Sequence, residues 1–129
     1  MSNEPLNWNT WLKQGDQYLR ATSPKGDKNK FNTEIRYNLL SMSFESYAMA
    51  ILDFNKTLPD NHTYTDLMNA LDHVIVINPE LKSRILKYEN IQSICSIDKY
   101  HINKPTEENL DDLKGAISEI AELAHVTCK

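Results

Sequence analysis

Apolar residues recur along this chain at helical spacing, and the pattern predicts about five helices and no strand. Trp8, Trp11, Leu12, Gly15, Tyr18, Leu19 and Thr22 fall on one face of a first helix over residues 6–22. Ser-Pro and Gly-Asp then supply turn chemistry over residues 22–30, among Lys25, Lys28 and Lys30. Residues 31–54 contain neither Pro nor Gly and read as one long helix. Phe31, Ile35, Leu39, Met42 and Met49 form one apolar face of it; Leu40, Phe44, Tyr47, Ile51 and Phe54 form another. Only Glu34, Asn38, Ser41 and Glu45 make a polar stripe, so this helix is expected to be central and packed from two sides.

A Pro59-containing loop follows, and Thr63 with Asp66 predicts the cap of a third helix. Its stripe is Tyr64, Leu67, Met68, Leu71, Val74 and Ile75, and the β-prone run at 74–77 is read as its continuation. Asn78-Pro79-Glu80 has the order of a cap, a first helical position and a dipole-matched acid. It opens a fourth helix expected to reach His101, with Leu81, Ile85, Tyr88, Gln92 and Cys95 facing inward. A second apolar set, Leu86, Ile94 and Ile97, lies on its opposite side. Thr106 caps a fifth helix, in which Leu110, Leu113, Ile117, Ile120 and Ala124 repeat as a packing seam.

The expected architecture is an all-α, up-and-down helical bundle in a single domain over residues 1–129. The net charge of −4 is too mild for nucleic-acid binding driven by the whole surface. No apolar run approaches the roughly 18 residues of a membrane span, and residues 1–8 lack a signal-peptide layout. Two cysteines, Cys95 and Cys128, have no metal or redox spacing, which fits a reducing compartment. A cytoplasmic protein is expected.

No motif fixes a reaction. Three glycines cannot build a phosphate loop, and CxxC, HExxH and nucleophile-elbow patterns are missing. Glu122 and His125 have the Glu-x-x-His spacing of di-iron bundles, but both point away from the fifth helix's seam; Asp98 and His101 form an Asp analogue, whose His101 likewise faces away from its helix's main stripe. No metal or other cofactor is expected. His62 reads as cap chemistry, His73 as a solvated side chain and the cysteines as structural.

The order of elements resembles the HEPN family, helical domains named for nucleotide binding in higher eukaryotes and prokaryotes. The likeness rests on the tryptophan-led first helix, on SFESYAMAIL at 43–52 with its acidic Glu45, and on the entry phrase Leu58-Pro59-Asp60-Asn61-His62-Thr63. Ile97-Asp98-Lys99-Tyr100-His101-Ile102 is similar to the first half of a family phrase whose second half is missing here. Ribonuclease members carry an arginine followed, after four to six residues, by a histidine. Arg20, Arg36 and Arg84 are not followed in that way.

The resemblance therefore implies a diverged, non-catalytic member that forms homodimers and binds a nucleotide, RNA or protein partner. Its setting would be a toxin-antitoxin or nucleotidyltransferase-associated system. Candidate ligand contacts are Asp98, Tyr100, His101 and Lys104, and the stripe Glu34, Asn38, Ser41 and Glu45; candidate dimer contacts are Leu86, Ile94 and Ile97. The alternatives are a diverged ribonuclease with a histidine base, and a purely structural dimeric subunit.

Overall fold

The computed structural model describes residues 7–22, 33–57, 59, 61, 63–89 and 106–128. Within them are five helices and no strand: α1 Trp8–Ala21, α2 Thr33–Phe54, α3 Tyr64–Asp72, α4 Pro79–Leu86 and α5 Glu107–Thr127.

Four helix starts carry side-chain caps. Asn7 accepts from the Thr10 amide, Thr63 from Asp66 and Asn78 from Glu80, with Pro79 as the first residue of α4. Thr106 and Asn109 cap each other reciprocally at the start of α5, satisfying two otherwise orphaned amides. Helix α2 ends in a Schellman turn. The Thr57 amide donates to the Leu52 carbonyl at 2.9 Å and Lys56 to Asp53 at 3.0 Å, with Lys56 at φ 59°.

Of the first apolar face expected on the long helix, only Met49 is buried among the described residues, but the helix itself is central as expected. It contacts α1, α3 and α5, and supplies the buried Tyr37, Leu40, Phe44, Tyr47, Ile51 and Leu52. Each large apolar side chain so buried contributes roughly 1.5–3 kcal/mol relative to exposure. The seam of α5, Leu110 to Ala124, is buried throughout and gains Ala116. Coverage of α2 is incomplete toward its start: Ile35 is 45% and Met42 42% exposed.

Cross-contacts set the helix directions. Trp8 meets Phe54 edge-on and Gly15 meets Ser43 and Tyr47, so α1 runs antiparallel to α2. Arg36 pairs with Glu107 near the starts of α2 and α5, and Cys128 reaches the Ala50 carbonyl near their ends, so these two run parallel. Arg84 and Tyr88 meet Asp112 while Arg84 also meets Glu119, so α4 opposes α5. Helices α1, α2, α4 and α5 thus alternate in direction, and the short α3 packs within the connection from α2 to α4.

Two expectations about helix length are corrected. Residues 74–77 do not continue α3, which stops at Asp72 before a turn at His73 and Val74. Asn78 precedes a proline and is held extended at ψ 127°, so a helix cannot run into α4 through it. The β-branched run also lowers helix preference. Ile77 consequently turns into the core while Val76 points out at 92% exposure. Helix α4 likewise does not run unbroken toward His101. It ends at Leu86 with a turn at Lys87 and Tyr88, where the Tyr88 carbonyl accepts the Tyr37 hydroxyl at 2.7 Å.

Candidate functional site

The candidate residues named from the sequence separate into three groups. Asp98, Tyr100, His101, Lys104, Ile94 and Ile97 lie outside the described residues, as do His62 and Cys95. Glu34 is in α2, but its side chain is outside the description. Asn38 is exposed, while Ser41 and Glu45 are half-buried. Ser41 is 2.5 Å from the Tyr64 hydroxyl, so packing between α2 and α3 accounts for the middle of the polar stripe. Leu86 is half-buried against the core rather than fully presented outward.

A polar cluster that sequence reasoning missed joins α1, α2 and α5. The Tyr47 hydroxyl donates to Asp16 Oδ1 at 2.5 Å, and His125 Nε2 lies 3.0 and 3.1 Å from the two Asp16 oxygens. The Tyr47 and His125 rings meet near edge-on, with centroids 6.4 Å apart. Burial raises the Tyr47 hydroxyl well above its ordinary range, and the bond to Asp16 adds to this. Tyr47 is therefore a fixed donor at neutral pH. His125 does face away from the α5 seam, as the helical wheel requires, and it reaches Asp16 on α1 while its ring stays half exposed. The signal available in the sequence was weak, because Asp16 and His125 are 109 positions apart.

A second network ties α4 to α5. Arg84 donates to Asp112 at 3.1 Å through Nη2 and to Glu119 at 2.9 Å through Nη1. Tyr88 donates to Asp112 Oδ2 at 2.6 Å, and Lys87 lies 3.3 Å from the same oxygen. The Tyr88 bond, helped by Lys87 and Arg84, holds the Asp112 carboxyl below the usual range. Burial, then the bond to Asp112, pushes Tyr88 up to about 12. Among the described residues no group of three or more His, Cys, Asp or Glu could hold a metal ion. Cys128 is buried, and burial pushes its thiol up to about 11, which makes it a poor nucleophile at neutral pH.

Beside this network an open groove of about 360 Å³ lies between the α3–α4 connection and the second half of α5. Leu81 and Leu123 line it from α4 and α5. Val76 and Val126 add two strongly exposed side chains, 92% and 65% accessible. Asn78, Glu119 and Glu122 supply its polar lining. The groove exists because the chain leaves helical form before Val76, which is the point at which the periodicity of residues 64–75 misleads.

Compared with protein-family models, curated proteins and solved structures, the chain has no match in any of the three.

Proposed function

We propose that this chain is a non-catalytic helical-bundle module that works by binding a protein partner. The observation that carries the proposal is the open apolar groove of Val76, Leu81, Leu123 and Val126. Exposed apolar side chains gathered around a concavity mark interaction sites. By contrast, Asp16, Tyr47, Arg84, Tyr88 and Asp112 are engaged in ties between helices. The HEPN-like resemblance adds a context, a partner in a toxin-antitoxin or nucleotidyltransferase-associated system, and a two-fold dimer involving Ile94 and Ile97. The test is incubation of the purified protein with structured RNA and with nucleoside triphosphates. No turnover of either is expected, and cleavage or hydrolysis would overturn the reading.

A second reading rests on His125 and Asp16. A carboxylate that fixes one ring nitrogen of an exposed histidine is the arrangement of a general base, which suits a diverged ribonuclease. RNA cleavage that disappears in His125→Ala, or in His101→Ala, would select it over the binding module.

A further inference from the structure

We infer that the groove between residues 76–81 and α5 takes a short basic, apolar segment of another protein; this rests on the protein-binding reading above. The volume is the first argument. At about 360 Å³ it sits at the small end of the roughly 300–1,000 Å³ range of ligand sites, room for one or two anchoring side chains. The lining is the second. Leu81 and Leu123 offer apolar contact, and Val76 and Val126 stand exposed beside them.

Charge chooses the occupant. Glu119 and Glu122 lie three positions apart on α5, on the face that also carries Val126. Arg84 holds Glu119 through one nitrogen at 2.9 Å, whereas the exposed Glu122 has no ion-pair partner among the described residues. Among the described residues no basic side chain lines the groove. A segment placing Lys or Arg one turn from its apolar anchor would meet Glu122 and complement the groove. The same acidic edge repels an anionic lipid surface. It also disfavours a second copy of this chain, whose net charge is −4.

Two matched synthetic peptides test this. Both carry a pair of leucines one helical turn apart; one flanks them with lysines, the other with glutamates. Binding to the full chain is read by fluorescence anisotropy across a salt series. The lysine peptide is expected to bind at least tenfold more tightly, with an advantage that shrinks as salt rises. Glu122→Lys should weaken it about fivefold, and Val126→Asp should remove measurable binding. Val76→Ser is the second variant: with that side chain 92% exposed, it leaves the fold intact and should still weaken binding. Equal affinity for the two peptides would overturn the basic occupant while leaving a protein-binding groove. Binding indifferent to both valine variants, or absent for both peptides, would overturn the groove as a docking site. A doubled mass in solution that Val126→Asp halves would assign the groove to a second copy instead.

Discussion

The ring of Tyr47 lies so close to the α-carbon of Gly15 that an added β-carbon would sit 2.8 Å from two of its atoms. This contact lets α1 approach α2 closely enough for Ser43 to donate to the Gly15 carbonyl at 2.9 Å and Tyr47 to reach Asp16. Gly15→Ala should therefore destabilise the bundle by about 1–2 kcal/mol, the clash outweighing the better helix propensity of alanine. Gly115→Ala meets only the flexible end of Arg84 at 3.3 Å and should be neutral or stabilising by up to about 1 kcal/mol. Urea unfolding of the pair would measure both; a Gly15→Ala variant as stable as the parent would show that the helices separate freely.

Tyr47, Tyr64 and Tyr88 all have hydroxyls raised above the ordinary value, in each case first by burial. A folded value above the unfolded one contributes stability that is complete below about pH 10 and is lost as pH rises through the folded value. Absorbance titration should show at least three of the six tyrosines ionising late, together with alkaline unfolding. Tyr88→Phe should reduce the loss of stability between about pH 10 and 12.

Asp112 has the opposite sign. Its folded value is depressed, so its contribution is present above about pH 4 and is lost as pH falls through the folded value. Asp112→Asn should lower the urea midpoint at neutral pH and flatten the acid limb of the stability profile. A parallel acid limb in the variant would mean that the Tyr88, Lys87 and Arg84 contacts contribute nothing to folding.

Lys56 occupies a left-handed position, φ 59°, that costs a side-chain-bearing residue about 1–2 kcal/mol. Lys56→Gly should relieve it and, after the greater freedom of glycine in the unfolded chain, stabilise by about 0.5–1 kcal/mol. Thermal unfolding should show a rise of roughly 3 °C.

The caps at Thr63, Asn78 and Thr106, the central α2 and the α5 seam were legible because each depends on residues within a turn or two. The helix ends at Asp72 and Leu86 were not. At the first, the backbone turns at His73 and Val74 although the apolar stripe continues at helical spacing through Val74 and Ile75. At the second, the Tyr88 carbonyl accepts a hydroxyl 51 positions away. The same limit applies to the sites. The stripe on α2 was visible, but Ser41 is partnered from α3, and the Asp16–Tyr47–His125 cluster joins three helices. The groove appears only once Val76 is known to have left the helix.

The parallel pairing of α2 with α5 has a consequence for how the chain is made. Arg36 and Glu107 are 71 positions apart, and Ala50 and Cys128 78 apart. During synthesis the α1–α2 hairpin emerges long before α5, leaving the side of α2 that carries Arg36 and Ala50 wet until α5 covers it. Closure waits for α5, so folding should be slower than helix content alone suggests. A nascent chain stalled ahead of residue 106 is the form most in need of a chaperone.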